Sequence, residues 1–534
     1  MPELLHPGVY VQEVPAAVKP IEGVSTSTAA FIGIADKGPI PGTKMPNLRP
    51  AQPLLVTSFT EYTRNFGGFR SDSFLTYAAR GFFDNGGRRL YIVRVAPATI
   101  ATAHDGPFSA SSAGAWGNNI WIRIDNSSDG DTTHHFKLSV FYGATQADAE
   151  ANLVEAYDNV TFHAPGDPTP INYARSIVNS RSEYIVITAD IPSLPPNLAI
   201  TQLAGGDDHA ADAVDFVGAP APDSSVAGTG IHALDKVTDV SILAIPGQGD
   251  GGTINAAMGY CKNVRTLQDC FFIGDVGNLT PAEARLDGAQ PTVNKVAEAR
   301  AFVVKGENPG NPTTLLDKSA GDYGALYYPW VLGSDPIGIG RNPRILLPPS
   351  GMMAGLYARI DTTRGVWKAP AGTEAGVSGA LAPATVVSDV EQDILNPINL
   401  NVIRTVPTAG IVAWGARTIG SDPGWRYIPV RRTAIFLRTS IYYGIQWAVF
   451  EPNDAPLWSS LRLNIRAFML TQFRSGAFQG SKPDEAFFVI CDATTTTQQD
   501  IDNGVVNILV GFAPLKPAEF VVLKLSQKVN QSPA

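Results

Sequence analysis

Three glycines lie between a predicted strand and a predicted helix with the spacing of a dinucleotide-binding turn. They spell G-x-G-x-x-G, and they are Gly247, Gly249 and Gly252. In dinucleotide-binding folds such glycines let the backbone approach a pyrophosphate. Here Pro246 occupies the tight turn, and Asp250 would direct a negative charge towards the phosphates. The pattern therefore favours an ordinary glycine-rich turn, with a cytosolic nucleotide-dependent oxidoreductase built on residues 240–275 as the alternative.

Other residues that could do chemistry lack their usual companions. His134 and His135 are adjacent, but no Cys or carboxylate pair flanks them at the spacing of a metal site. Ser350, in P-P-S-G, is typical of a turn and does not have the context of a nucleophile elbow. The sequence also has no P-loop. We therefore predict no catalytic residue, no metal and no cofactor.

The composition is that of a folded, turn-rich protein with few charges. Only 17% of the 534 residues are charged, whereas Gly (51) and Pro (41) are abundant. A chain of this length should form several domains, because single cores rarely grow beyond about 250–300 residues. Low charge suits a subunit that buries surface against its neighbours. The net charge of −9 argues against a nucleic-acid-binding protein, which would carry a basic face.

The cysteines suit a protein that folds in a reducing cytosol. Cys261, Cys270 and Cys491 are too few and too scattered for a disulfide framework or a zinc site. The first residues show no signal peptide, and no apolar run reaches the roughly 18 residues that a membrane span needs. We therefore expect no direct membrane insertion.

Arginines concentrate beside Trp, Tyr and Gly in the second half of the chain. They are Arg359, Arg364, Arg404, Arg417, Arg426, Arg431 and Arg432. Arginine is favoured over lysine in buried or interfacial ion pairs, and it stacks on aromatic rings. Two roles remain open, because such residues can join parts of one domain or join neighbouring subunits.

The sequence around these arginines resembles the C-terminal core of contractile tail sheath proteins. The resemblance rests on A-R-I-D-x-x-R-G-V-W-K-A-P-A-G (358–372), W-G-A-R-T (414–418), D-P-x-W-R-Y-I-x-V-R-R (422–432) and Q-W-x-V-F-E-P-N (446–453). Near the ends, P-G-V-Y-V-x-E (7–13), F-F-D-N-G-G (82–87) and K-P-A-E-F-V (516–521) resemble the same family. The candidate core and interface residues in these motifs are Arg359, Asp361, Arg364, Trp367, Trp414, Arg417, Trp425, Arg426, Arg431 and Arg432.

The resemblance implies a mixed α/β (α+β) multidomain fold with inserted outer domains and strand-exchanging arms. We predict an N-terminal linker arm (1–24), a small α/β domain (25–97), a variable, surface-exposed and mainly β insertion (98–230), an α/β domain (231–345), a C-terminal core facing the inner tube (346–515) and a C-terminal strand arm (516–534).

The two arms each contain a predicted strand, at 8–14 and 519–526, and both strands are flanked by proline. An unpaired strand is a liability unless another strand covers its edge. We therefore predict that the arms pair with neighbouring subunits. The candidate interface residues in the arms are Val9, Tyr10, Val11, Phe520, Val521, Val522 and Leu523.

A predicted helix at about 456–475 carries three arginines on roughly one face. They are Arg462, Arg466 and Arg474, and no Asp or Glu lies between residues 455 and 483 to neutralise them. Two interpretations remain open: a solvated basic face, or a face that contacts an acidic inner tube.

The resemblance implies a structural subunit of a helical contractile sheath. Many copies would surround an inner tube and contract to drive it through a target envelope. Expected partners are further copies of the chain, the inner tube protein, and baseplate and terminator proteins, with no nucleic acid. A static coat or tube protein is a further alternative. The sheath serves both phage tails and phage-tail-like injection particles, so the sequence does not separate these two.

Overall fold

The structure is a computed structural model, and it describes residues 20–42, 51–96, 102–165, 168–208, 211–223, 226–285, 295–307 and 313–520. The contacts divide the chain into two compact units. Residues 25–432 form the larger unit, and residues 1–24 and 433–534 form the smaller one. Each unit is described by itself below.

The strands are β1 Thr28–Gly33, β2 Leu54–Val56, β3 Arg89–Arg94, β4 His104–Asp105, β5 Phe108–Ala110, β6 Ile120–Asn126, β7 His135–Tyr142, β8 Leu153–Thr161, β9 Ile185–Ile187, β10 Leu198–Gln202, β11 Ile242–Ala244, β12 Phe271–Asp275, β13 Gly324–Tyr328, β14 Val331–Ser334, β15 Arg344–Leu347, β16 Ala382–Pro383, β17 Asn401–Val406, β18 Gly410–Ala413, β19 Phe487–Ile490 and β20 Leu509–Phe512. The helices are α1 Phe59–Phe66, α2 Leu75–Asp84, α3 Gln146–Glu150, α4 Ala174–Arg181, α5 Ala213–Val217, α6 Gly251–Gly259, α7 Pro281–Ala284, α8 Val296–Lys305, α9 Ser350–Arg364, α10 Asp389–Leu395, α11 Ile428–Gly444, α12 Ala455–Arg474, α13 Pro483–Ala486 and α14 Gln498–Asp502.

An eight-stranded sheet is the centre of the larger unit. Its strand order is β18-β17-β13-β12-β11-β1-β3-β2, and its six inner strands run parallel. The edge strands β2 and β18 run antiparallel to their neighbours. Strands β1, β11, β12 and β13 are buried throughout, as the continuous apolar runs of a sheet covered on both faces require.

Helices α2 and α9 pack closely against each other beside this sheet, and glycines permit that approach. A Cβ at Gly351 would collide with Ala78, and a Cβ at Gly355 would collide with the Phe82 carbonyl. The glycines of the P-S-G-M-M-A-G block therefore serve helix packing inside the larger unit.

The sheet joins strands from three segments that the sequence analysis treats as separate domains. Segment 25–97 supplies β1–β3, segment 231–345 supplies β11–β13, and segment 346–515 supplies β17 and β18. Parallel neighbours need long crossover connections, so the partners of each strand lie far away in sequence. Segments 25–97, 231–345 and 346–515 consequently share one sheet and are not three independent domains.

The inserted region between β3 and β11 has its own sheets and its own core. Strands β10-β6-β7-β8 form one sheet and β4-β5-β9 form another, around buried residues such as Ile122, Phe136 and Leu138. Helix α5 lies outside this core and packs on α6. The insertion therefore ends near residue 208, earlier than the predicted residue 230.

Two arginines attach the insertion to the end of the central sheet. The Arg94 guanidinium donates to the carbonyls of Ala35, Asp36, Gly38 and Ala113 at 2.8–3.0 Å. Arg70 forms ion pairs with Asp36 and Asp208 at 2.9 Å and with Asp72 at 2.7 Å. Because Ala113 and Asp208 belong to the two ends of the insertion, both ends are fixed to the β1 terminus.

The described part of the smaller unit contains the later residues of α11, helices α12–α14 and the sheet formed by β19 and β20. Leu457, Trp458, Leu461 and Cys491 form a small core. The short segment 20–24 also belongs here, since the Val24 N–H donates to Ser440 Oγ at 3.1 Å. The predicted strand 8–14 and most of 519–526 lie outside the described residues.

Candidate assembly surfaces

The sheet formed by β19 and β20 has an outer edge that no described strand covers. The two strands pair antiparallel along their whole length, and the Ala513 N–H donates to the Ala486 carbonyl at 2.8 Å. Alternate residues of a strand direct their backbone groups to opposite sides, so Val510 and Phe512 direct theirs away from β19. Among the described residues no further strand pairs with β20. This edge can accept a strand through main-chain hydrogen bonds.

The two faces of the same sheet differ in exposure. Phe487 and Val489 are buried on the face next to α12, where Phe478 contacts the Phe487 and Phe512 rings. On the opposite face, Phe488 and Leu509 are about half exposed (47% and 52%). The sheet therefore presents an open edge and an apolar face together.

Among the predicted arm residues, Phe520 alone is described, and it is 75% exposed. The others lie outside the described residues: Val9, Tyr10, Val11, Val521, Val522 and Leu523. Their pairing with a neighbouring subunit stays a prediction.

Helix α12 matches the predicted helix, but two of its arginines have carboxylate partners. Arg466 Nη2 lies 2.7 Å from Asp484 Oδ1, and Arg462 Nη1 lies 3.9 Å from Asp492 Oδ2. The expectation of an unneutralised face was wrong for these two residues, because β19 returns along α12 and brings both carboxylates to it. Arg474, in the last turn, is exposed and makes no ion pair within the described residues.

Arg432 and Asp361 form a buried ion pair in the larger unit. The guanidinium contacts both carboxylate oxygens at 2.8 and 2.6 Å, and it donates to the Thr26 carbonyl at 2.8 Å. Its charge also lies 4.9 Å from the centre of the Tyr357 ring. The pair therefore ties α11 to α9 and to the segment before β1.

The neighbouring Arg431 is held in a second buried cluster of the larger unit. It pairs with Asp322, which also lies 3.1 Å from Lys262 Nζ. The Arg431 guanidinium lies over the rings of Trp425 and Tyr323, at 3.7 and 4.5 Å from their centres. The D-P-x-W-R-Y-I-x-V-R-R motif therefore supplies internal contacts through both of its final arginines.

The remaining motif residues divide between buried and exposed positions. Arg417 is buried and donates to the Asn396 carbonyl at 2.8 Å, and Arg359 donates to the Gly376 carbonyl at 2.6 Å. Arg364 is half exposed and pairs with Glu374. Trp367 is half-buried, while Trp414 and Arg426 are exposed. The exposed residues remain the candidates for contacts between subunits.

The glycine-rich turn after β11 is filled by protein atoms. Phe74 occupies the space beside Gly247, and a Cβ at Gly249 would collide with the backbone of Gly277. A Cβ at Gly251 would meet the Thr314 carbonyl oxygen. Asp250 caps α6 by accepting from the Thr253 N–H at 2.8 Å. These glycines permit close backbone packing at the positions where a pyrophosphate would need open space.

A buried carboxylate that the sequence analysis did not single out lies beside this turn. Asp275, at the end of β12, accepts hydrogen bonds from the Gly247 N–H (3.1 Å), the Ser350 N–H (2.8 Å) and the Ser350 hydroxyl (2.7 Å). Burial raises the pKa of Asp275 to about 6, and the three hydrogen bonds oppose the shift. Ser350 is thus the first residue of α9, where it is bonded to Asp275.

The histidine pair lies at the start of β7. His134 and His135 contact Asp131 and Asp129 respectively. The described residues hold no cluster of three or more side chains suited to bind a metal. Within the same part of the chain, no helix combines the length and the apolarity that crossing a membrane requires.

Comparison with known proteins finds similarity to tail sheath proteins. The phage tail sheath C-terminal domain matches residues 420–528, which include α12, β19 and β20. A prophage major tail sheath protein of Pseudomonas aeruginosa is 28% identical over 174 residues, and the tail sheath protein of Burkholderia phage BcepMu is 30% identical over 184 residues. Each alignment covers 32% of this chain, and the chain spans 44% and 37% of the length of these two relatives.

The fold extends the likeness to the whole chain. The sheath of an extracellular contractile injection system (PVC), solved in its contracted state, matches with a TM-score of 0.56 and 21% identity over 99% of both chains. Residues 420–528 therefore carry a phage tail sheath C-terminal domain, the matched relatives are tail sheath proteins, and the whole chain has a fold similar to that of a contractile sheath subunit.

Proposed function

We propose that the chain is the structural subunit of a helical contractile sheath around an inner tube. The open edge of β20 carries the proposal, since it lies inside the matched sheath domain and offers a site for a neighbouring strand. A heterologous contact that does not close into a ring generates a helix. Repeating one strand-addition joint along many copies would build the sleeve.

The predicted strands 8–14 and 519–526 of neighbouring copies would supply the joints. Each backbone hydrogen bond contributes about 1 kcal/mol net, and an added strand makes several of them. Such joints stay closed while the subunits move relative to each other, because the arm and not the globular contact holds the lattice together. The apolar face with Phe488 and Leu509 would be covered in the same assembly.

Contraction would follow from two packings of the same subunits, with the energy stored in the extended assembly. Bistable contacts convert small local shifts into a collective change. The likeness to a sheath solved in the contracted state supports this reading. The inner tube, a baseplate and a terminator would be the partners, and the particle would be a phage tail or a tail-like injection machine assembled in the bacterial cytoplasm and released by lysis.

Negative-stain microscopy of the purified chain tests the proposal. We expect tubes or polysheaths, and deletion of residues 1–15 or of residues 517–534 should leave a folded monomer that does not polymerise. Compact particles from the unaltered chain would contradict the proposed function. Normal tubes from both deletions would contradict the strand joints alone. A single tube length under all conditions would favour a static coat.

Helix α12 would contact the inner tube. Arg474 is the best residue at which to test this contact, because it is exposed and makes no ion pair within the described residues. Exposed ion pairs are worth about 0–1 kcal/mol each, which suits a contact that releases on contraction. Arg474→Glu should prevent extended sheath from forming on tubes while polysheath still assembles. Arg466→Glu is the matched control, because it places a second carboxylate beside Asp484 of the same chain. If Arg474→Glu yields normal extended particles, the end of α12 does not hold the tube.

The oxidoreductase alternative makes an opposite prediction. A ligand at 100 times its dissociation constant stabilises a protein by about 2.7 kcal/mol. We expect no shift of the melting temperature with NAD, NADP, ATP or divalent metals. A clear shift with a dinucleotide would favour an enzyme built on residues 240–275.

A further inference from the structure

The loop between β14 and β15 presents an apolar tip next to two exposed arginines. Ile337 is exposed, and Ile339 is 97% exposed. Arg341 and Arg344 are exposed as well, and neither makes an ion pair within the described residues. Isolated surface leucines and isoleucines are ordinary, but two exposed isoleucines and two exposed arginines within eight residues form a compact basic and apolar projection.

The base of this loop is held firmly inside the larger unit. Asp335 is buried, and it accepts from the Tyr77 hydroxyl at 2.6 Å and from Arg285 Nε at 2.8 Å. The Asp335 carboxylate also accepts from the Ile337 N–H at 3.2 Å, and the Asp335 N–H donates to the Pro343 carbonyl at 3.0 Å. A fixed base lowers the entropy that the tip would lose on binding a partner.

The surface of α10 has the complementary composition. Val386, Val390 and Ile394 are exposed, Val390 by 73%, and Val390 and Ile394 lie one helical turn apart on the same face. Asp393 is exposed on the same helix, and no described residue pairs with it. Asp389 is neutralised by Arg404 at 2.7 Å, and Glu391 accepts from the Ser388 N–H and hydroxyl at the start of the helix. Asp393 therefore remains as the negative charge beside the exposed apolar side chains.

The tip and the α10 face lie at opposite ends of one small sheet. β14 runs from Val331 towards the loop, and β16 pairs with it antiparallel. The chain therefore leaves β16 in the direction away from the loop before it enters α10. One copy cannot place its own tip on its own α10 face, whereas two copies in a row can.

We propose that the 335–343 tip of one copy docks on the α10 face of the next copy. The contact pairs apolar with apolar side chains and arginine with aspartate, and a head-to-tail contact of this kind propagates without closing. The inference rests on the proposed helical assembly, to which it adds a contact between globular surfaces beside the strand joints.

Cysteine cross-linking tests the contact directly. The native cysteines are all buried, so cross-links between introduced cysteines can be detected without replacing the native ones. After tubes have formed, mild oxidation of the double variant Ile339→Cys/Val390→Cys should give a ladder of covalent oligomers, which neither single variant gives. The matched control is Ile171→Cys/Val390→Cys, because Ile171 is equally exposed but lies on the insertion.

A charge swap provides a second test. Arg341→Glu should raise the critical concentration for assembly about tenfold, which corresponds to about 1.4 kcal/mol per contact, and Asp393→Arg should do the same. Combining both in one chain should restore assembly. Tubes without a ladder and without rescue would overturn the contact and leave the proposed function intact. A tip that cross-links instead to inner tube protein would also overturn it, whereas a failure to form any tube would count against the proposed function.

Discussion

Adjacent arginines of one motif hold the larger unit together through buried carboxylates, whereas others in the same blocks remain exposed. Arg432 and Asp361 are nearly inaccessible to solvent, so each charge depends on the other. Breaking a buried pair leaves an uncompensated charge, which costs far more than breaking a pair at the surface. Residue type alone does not distinguish the arginines in buried ion pairs from the exposed ones, whereas burial does.

Asp361→Asn should therefore destabilise the chain by about 3–5 kcal/mol, because Arg432 would remain buried beside a neutral group. The matched control is Glu374→Gln, which breaks the half-exposed pair with Arg364 and should cost about 0–1 kcal/mol. Urea unfolding of assembly-deficient protein, followed by tryptophan fluorescence, measures both effects. Equal losses would show that the buried pair has no special role.

Asp275 should make the stability of the larger unit depend on pH. Its folded pKa of about 6 lies above the ordinary value of 3.8, so the folded state binds the proton more tightly. The resulting stabilisation is full below about pH 4 and is lost as the pH rises through 6. Asp275→Asn should abolish this component of the pH dependence, as measured by urea midpoints between pH 4 and 7. An unchanged profile would contradict the assignment.

At the scale of elements, β19 and β20 form a sheet too small to be stable alone. A two-stranded sheet is marginal in water, and this one relies on α12 against one face. Its other face and its β20 edge are open within the described residues. Packing on α12 keeps the two strands folded, and the open β20 edge can accept a partner strand.

Val510→Pro tests this edge with a single residue. Val510 directs its N–H away from β19, and proline is tolerated on an edge strand at such a position. We expect a folded monomer that fails to polymerise, read by circular dichroism and by microscopy. Val510→Thr should assemble normally. Leu509→Pro, whose N–H faces β19, should unfold the sheet itself. Normal tubes from Val510→Pro would exclude strand addition at this edge.

Sequence patterns predicted the elements better than their partners. The apolar spacing of Leu457, Leu461 and Ile465 gave α12 almost to its ends, because helix periodicity is local. The ion pairs of Arg462 and Arg466 were not predictable, since Asp484 and Asp492 reach them through the return of β19. The buried Asp275 was missed for the same reason, because Ser350 is 75 residues away.

At the scale of the whole molecule, the insertion has its own core and is fixed at both ends to the larger unit. Its core is its own, and Arg70 and Arg94 bind its ends to the β1 terminus. The parallel order of the central sheet escaped prediction, because strands 28–33 and 242–244 become neighbours only through crossovers. Short strands and polar loops predicted a mainly β insertion at 98–230, and strands β4–β10 lie within that range.

Replacing residues 98–208 with a short linker should leave a folded chain that still forms tubes, with a smaller outer diameter. The central sheet keeps all its strands in this variant, and α5 stays on α6. Arg94 loses the Ala113 carbonyl but keeps those of Ala35, Asp36 and Gly38. Microscopy measures the diameter. A folded monomer that forms no tube would show that the insertion takes part in assembly.

The strand order of the central sheet also determines when the sheet can be completed during translation. A ribosome must finish β17 and β18, which end at Ala413, before the eight strands can all be in place. The open sheet at 487–512 emerges only afterwards. Long-range parallel pairing is intrinsically slow, and an exposed edge on a half-folded nascent chain would invite aggregation. Because the β20 edge is translated last, each chain can complete its central sheet before a growing polymer can bind that edge.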